Sequence, residues 1–192
     1  MHPTQLRHAR RVILTGGVIA CPAEGVYGLG CHPLSPDAVA KVLALKGRVA
    51  SKGLILIAAD AAQLEPWLGD LPVAARRRML ASWPGPVTWV APAHPDTPEW
   101  LSGGRDTLAV RVTDHPLAAE LCRACDSVLV STSANRSGRP PARSALQVRR
   151  RLGDGPDLVI SGAVGGLNGP TAIHDAVSGK VLRRGPGDGA SS

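Results

Sequence analysis

Gly53-Leu54-Ile55-Leu56-Ile57-Ala58-Ala59 is a run without a single charged or polar side chain. It is short for a helix and lacks the alternation of a strand with one wet face, so it predicts a strand buried on both sides. Such a strand needs helices above and below it. The preceding segment supplies one. Ser35-Pro36-Asp37 is a helix start, with serine at the cap, proline at the first helical position and an aspartate favourable to the dipole. Val39, Val42, Leu43 and Leu45 give that helix a buried face, Lys46 complements its C-terminal dipole and Gly47 closes it.

The alternation extends in both directions. Leu6, Ala9, Val12 and Ile13 recur at helical spacing up to Gly16-Gly17, and 18–21 follows as a strand. Downstream come a short helix near 60–68, a helix over 72–83, a turn at Trp83-Pro84-Gly85-Pro86 and a strand over 87–91. Residues 92–106, rich in Pro, Gly and Asp, read as a surface excursion. A strand over 107–112, a helix opened by Asp114-His115-Pro116, a strand over 127–130, a helix over 144–152 and a strand near 158–160 continue the pattern. Thr171-Ala172-Ile173-His174 and Lys180-Val181-Leu182-Arg183 flank a Ser178-Gly179 turn and predict a closing hairpin. The expected fold is therefore α/β, a twisted mixed sheet with antiparallel edges flanked by helices. At 192 residues it is expected to form a single domain, with a disordered tail over about 186–192.

Aromatic residues make up only 3% of the chain and Phe is absent, so Leu, Val, Ile and Ala must fill the interior. Basic residues outnumber acidic ones by 22 to 15, a formal charge of +7 that favours a polyanionic partner. Arg76-Arg77-Arg78, Arg149-Arg150-Arg151 and the series Arg136, Arg139, Arg143 are candidate phosphate contacts, although solvated helix faces are the preferred reading of both triplets and only the last series adjoins the candidate anion pocket at 131–138. No stretch has the apolar length of a membrane span and no secretory pattern opens the chain, so the expected location is the cytoplasm. Cys122 and Cys125 have the gap of a metal knuckle, but they fall within a helix and a second close pair is missing. Cys21, Cys31, Cys122 and Cys125 are read as small buried thiols.

The polar punctuation is more specific. Ser131-Thr132-Ser133-Ala134-Asn135-Arg136-Ser137-Gly138 follows an apolar strand and offers hydroxyl, amide and turned backbone donors suited to an anion, or else to an ordinary loop. Lys46, Arg48 and Lys52 fall within seven residues beside the buried strand. Helix termination accounts for Lys46 but leaves Arg48 and Lys52 unexplained. Glu24-Gly25-Val26-Tyr27-Gly28-Leu29-Gly30 sets three glycines where a strand hands over to a loop, permitting close approach by a ligand or simply a tight turn. Arg111 interrupts an apolar strand and must be paired if buried, with an internal carboxylate or with a ligand's. Neither the P-loop nor the dinucleotide fingerprint occurs. A small acid together with a polyphosphate fits these groups, which suggests acyl adenylation.

Five segments resemble, in order, the motifs of the YrdC family in its short bacterial form. They are Pro22-Ala23-Glu24-Gly25-Val26-Tyr27-Gly28-Leu29-Gly30, Lys46-Gly47-Arg48, Trp83-Pro84-Gly85-Pro86-Val87-Thr88, the stretch from Leu108 to Pro116 and that from Ser131 to Gly138. The resemblance covers roughly residues 5–185. It implies the YrdC-like fold and formation of threonylcarbamoyl-adenylate from L-threonine, bicarbonate or CO2, and ATP, with release of pyrophosphate. The product would serve threonylcarbamoyladenosine modification of tRNA next to the anticodon, the transfer being made by separate downstream proteins. Carried over by motif, Lys46 and Arg48 would be catalytic. Arg48, Thr107, Ser133, Asn135 and Arg183 would hold ATP with Mg²⁺, Lys52 is inferred as a further ATP phosphate contact, and Arg111, Thr171 and Gly25 would hold threonine.

The chain departs from the family pattern in places. Ala23 and Gly25 stand where the family has threonines, Ile57 where its longer form has a histidine, and Pro141 where that form has a serine. An RNA-binding module for tRNA or double-stranded RNA is the rival expectation raised by the basic surface. A carbamoyl-adenylating relative with a different acceptor is another.

Overall fold

The structure, a computed structural model, describes residues 1–186. The expected tail therefore lies, from residue 187 on, outside the described residues. The elements run α1 (Pro3–Leu14), β1 (Ile19–Pro22), β2 (Tyr27–Cys31), α2 (Pro36–Lys46), β3 (Ile55–Ala58), α3 (Val73–Ser82), β4 (Val87–Pro92) and α4 (Glu99–Ser102). They continue with β5 (Thr107–Val112), α5 (Pro116–Cys125), β6 (Leu129–Ser133), α6 (Ala145–Leu152), β7 (Leu158–Val159), β8 (Ala172–Asp175) and β9 (Val181–Arg183).

All nine strands join one mixed sheet in the order β7-β1-β2-β6-β3-β5-β4-β8-β9. The run that opened the sequence becomes β3 at its centre, antiparallel to β6 and parallel to β5. Its two faces feed two separate cores. Leu56 and Ala58 pack with Val39 and Val42 of α2, Met79 of α3 and Leu101 of α4. Ile57 packs with Ala9 and Ile13 of α1 and Leu121 and Cys122 of α5. Each fully buried aliphatic side chain contributes about 1.5–3 kcal/mol, so a strand feeding both layers is the natural centre of the fold. The cysteines divide between these layers, Cys31 on the first and the other three on the second. Burial pushes all four thiols up, Cys21 and Cys31 to about 12 and Cys125 to about 11. Among the described residues no helix is long and apolar enough to cross a membrane.

Three expectations are corrected. Tyr27–Cys31 is a strand rather than a loop, paired with β1 on one side and β6 on the other. Its glycines admit β6 closely: a Cβ at Gly28 would lie 3.3 Å from Ser131 Oγ, and one at Gly30 3.0 Å from Val130 O. The hydroxyl-rich segment also begins as strand, since Ser131–Ser133 complete β6. Residues 92–106 are not simply a surface excursion, because α4 buries Leu101 and Ala93 bridges to Leu68. The short helix near 60–68 is a 3₁₀ turn from Ala62 to Trp67.

The basic segment is aimed by two glycines. At the end of α2, Gly47 adopts φ 56°, ψ 44°, its N–H donating to Ala44 O while Arg48 N–H donates to Leu43 O. This close turns the chain so that Lys46 stays inside and Arg48 leaves the helix. Gly53 adopts φ 61°, ψ 172°, a region essentially restricted to glycine, and a Cβ there would lie 3.0 Å from Ser102 O and 2.8 Å from Arg105 Nη2. Gly53→Ala is expected to destabilise the protein by about 1–3 kcal/mol in urea unfolding. Gly47→Ala, whose Cβ meets open space, should lose only the roughly 1 kcal/mol of the left-handed backbone.

Candidate active site

Beside β3 the sheet carries a cavity of about 460 Å³. Its walls are the β1–β2 turn (Ala23 to Val26), the 48–55 segment, Thr107, Ala109 and Arg111 of β5, Ser131–Ser133 of β6, the approach to β8 (169–171) and Arg183 of β9. Of the residues named from sequence, Gly25, Arg48, Lys52, Thr107, Arg111, Ser133, Thr171 and Arg183 line it directly. Lys46 and Asn135 stand behind the wall.

Lys46 is 3% exposed. Its Nζ donates to Asn135 Oδ1 at 3.0 Å, to Asn135 O at 3.1 Å and to Ser133 O. Asn135 Oδ1 also accepts from Ser133 Oγ at 2.6 Å, and its Nδ2 donates to Arg136 O and Arg139 O. The ammonium and the amide thus fix the loop that presents Ser133. Burial, and secondly Arg48, lower the Lys46 pKa to about 8.

Five cations border the cavity: Arg48, Lys52, Arg105, Arg111 and Arg183. Glu24 is the only acid among the lining residues. Arg48 and Arg183 are held below their ordinary pKa, first by burial and then by neighbouring arginines, Arg105 for the one and Arg111 and Arg48 for the other. Among the described residues Arg48 donates only to the carbonyls of Lys52 and Gly53, at 3.2 and 3.0 Å, and Arg183 to Thr171 O at 2.7 Å. Crowded cations that meet carbonyls instead of carboxylates gain most from a polyanion. Sequence reasoning missed Arg105, which precedes β5 in a glycine-rich stretch where only its charge marked it.

Arg111 has an internal carboxylate. Its Nη2 donates to Glu24 Oε2 at 3.0 Å, and its Nη1 donates to Thr171 Oγ1 at 2.8 Å and Thr88 Oγ1 at 3.1 Å. The second carboxylate oxygen of Glu24 accepts from Thr113 Oγ1 at 2.5 Å. Both ions are 4% exposed. Arg111 Nε is buried and has no acceptor among the described residues, so one donor remains. Gly25 has no room for a side chain: a Cβ would lie 2.0 Å from Gly169 O. Position 57, where a histidine contact seemed lost, is not on the cavity wall at all. Ile57 packs among Ala118 and Leu121, while Ile55 lines the cavity.

Half of the arginines in the two triplets are tethered. Arg76 pairs with Glu65, Arg78 donates to the carbonyls of Ala176 and Val177, and Arg151 to those of Pro140 and Pro141. Arg136 and Arg139 are exposed beside the Ser133 loop.

A mixed α/β sheet thus carries a cavity that gathers five cations about a single, already paired carboxylate among its lining residues. Residues 11–185 match the model of the Sua5, YciO and YrdC proteins, which bears the description "Telomere recombination". The chain belongs to this family. The threonylcarbamoyl-AMP synthase of Halorhodospira halophila is 56% identical over 182 residues, covering 95% of each chain. P. abyssi Sua5 complexed with L-threonine superposes with a TM-score of 0.85 at 33% identity, over 90% of this chain and 51% of that one. The chain thus spans about half of that longer protein. E. coli YciO superposes with a TM-score of 0.85 at 26% identity, over 96% of this chain and 91% of its own.

Inorganic tripolyphosphate at about 100 times its Kd should stabilise the fold by about 2.7 kcal/mol, which for a chain of this size is roughly 5–11 °C in Tm. Arg48→Ala should lose most of that shift in a thermal scan, and added salt should weaken it. Glu24→Ala, which leaves Arg111 buried without its carboxylate, should destabilise the protein by about 3–5 kcal/mol in urea unfolding.

Proposed function

We propose that this protein synthesises threonylcarbamoyl-AMP from L-threonine, bicarbonate or CO2, and ATP. The observation that carries this is the pairing of a cation-rich polyphosphate wall with an arginine-centred end suited to a carboxylate, in a chain closely similar to enzymes of that name. In this reaction the threonine amine combines with CO2 to give a carbamate and a proton. A carbamate oxygen then attacks the α-phosphorus of ATP, and the bond to the bridging oxygen of the β-phosphate breaks as pyrophosphate leaves.

Arg48, Lys52 and Arg183, with Thr107 and Ser133, bind the nucleotide phosphates and meet the charge that builds on them. Preorganised cations of this kind usually supply the largest share of such acceleration. Lys46 and Asn135 serve the same end from behind by fixing Ser133. At the other end Arg111 and Thr171 receive the threonine carboxylate, with the bare backbone at Gly25 beside them. Mg²⁺ belongs to the nucleotide substrate here. The lining carboxylate is engaged by Arg111 and Thr113, and the described residues hold no cluster of three metal-ligating side chains, so the ion's ligands would be phosphate oxygens and water.

The whole chain acts as one cytoplasmic domain on this proposal. Its adenylate passes to the proteins that modify tRNA, and the exposed Arg136 and Arg139 are where tRNA would meet the rim. The test is incubation with ATP, Mg²⁺, bicarbonate and one amino acid at a time, following pyrophosphate and the adenylate. Threonine-dependent release is expected, and release indifferent to threonine refutes the proposal. Lys46→Ala and Arg48→Ala should each abolish turnover while leaving circular dichroism unchanged.

The amine of Lys46 loses its charge above about pH 8 in the free protein, so its grip on the loop weakens there. The calorimetric Kd for ATP should rise above that pH, and Lys46→Arg, whose cation does not titrate in this range, should lack the rise.

A further inference from the structure

We infer that Tyr27 and His115 are positioning residues for the threonine end of the cavity, acting through the strap at 161–169. The inference rests on the threonine assignment above. The strap joins β7 to the cavity wall at Gly169, Pro170 and Thr171. Four of its nine residues are glycine, and Val164 packs against the core, so side-chain packing holds the strap at few points. Its backbone is pinned instead. Tyr27 Oη donates to Gly162 O at 2.7 Å and accepts from Gly162 N–H at 3.0 Å. His115 Nε2 lies 3.2 Å from Ala163 O, and because a carbonyl only accepts, this nitrogen carries the proton. Two further backbone bonds dock the strap on the β1–β2 turn, from Gly165 N–H to Ala23 O and from Leu167 N–H to Glu24 O.

Strap and turn interlock without clearance. A Cβ at Gly165 would lie 2.5 Å from Glu24 O, as one at Gly25 would lie 2.0 Å from Gly169 O. One of the two anchors also adjoins the buried ion pair, through its backbone. His115 N–H donates to Thr113 Oγ1, which donates to Glu24, the partner of Arg111. The side chains of Tyr27 and His115 therefore hold the strap that ends at Thr171, whose hydroxyl in turn meets Arg111. Neither Tyr27 nor His115 lines the cavity. Arg48 and Lys52 stand on another element, whereas Arg183 touches this assembly through Thr171 O and Ser133 adjoins Tyr27 through the pairing of β2 with β6, in which the Tyr27 hydroxyl takes no part.

The test uses the full chain with three substitutions. Tyr27→Phe keeps a ring that is wholly buried and removes only the hydroxyl. His115→Ala removes the donor, and His115→Gln supplies another. Tyr27→Phe and His115→Ala should raise the KM for threonine roughly fivefold or more, the scale of one or two lost hydrogen bonds, with kcat and the KM for ATP within about twofold. His115→Gln should recover much of the loss. Hydrogen exchange at the amides of Gly165 and Leu167 should accelerate in the two impaired variants without substrate present. Equal changes in both KM values, or none despite faster strap exchange, would overturn the positioning role, and unchanged exchange would overturn the anchoring. Wild-type protein that releases pyrophosphate without threonine would instead remove the functional assignment on which the inference stands.

Discussion

The ion pair between Arg111 and Glu24 is the constraint around which the site is arranged. Arg111 belongs to β5 and Glu24 to the turn between β1 and β2, yet β6 and β3 lie between those strands in the sheet. The turn must therefore reach over the sheet face to make the contact. Burying two charges is costly, and the Coulomb attraction offsets that only when the remaining donors and acceptors are met. Thr113 meets the second carboxylate oxygen, and Thr88 and Thr171 meet the guanidinium. Through these threonines one arginine fixes the relative positions of β4, β5, the β1–β2 turn and the approach to β8.

With its acid neutralised, the rest of the cavity is electrostatically one-sided. Burial and then Arg105 lower the proton affinity of Arg48, burial and then Arg111 and Arg48 lower that of Arg183, and a bound polyphosphate would relieve the repulsion. A protein that crowds like charges in this way loses some stability for a site already organised for its ligand. The cost is borne locally, because Lys46 and Asn135 hold the β6 loop from below while the cations face the opening.

Much of this was legible beforehand. The run Leu54 to Ala58 could only be a doubly buried strand, and Ser35-Pro36 with Gly47 bounded the helix that delivers the basic segment. The hairpin of β8 and β9 followed from Ser178-Gly179. Tyr27–Cys31 was obscured because Gly28 and Gly30, poor strand formers, are there for close approach to β6, a neighbour remote in sequence. Ser131, Thr132 and Ser133 looked like loop residues because they line a cavity that only the assembled sheet creates. Spacing placed Lys46 and Arg48 together, but only the left-handed turn at Gly47 decides that one goes behind the wall and the other onto it. The partner of Arg111 lies 87 positions away, and no local pattern points to it.

The cysteines give the two layers of the molecule separate chemical identities. Cys31 is sealed beneath α2 and its neighbours, whereas Cys21, Cys122 and Cys125 are sealed between the sheet and the pair α1 and α5. With their thiols held protonated by burial, all four are poor nucleophiles while the protein stays folded. A thiol reagent that modifies Cys31 alone would mark separation of one helical layer from the sheet, and one that modifies the other three would mark separation of the opposite layer. The native sequence thus carries its own probes of which half of the sandwich opens first.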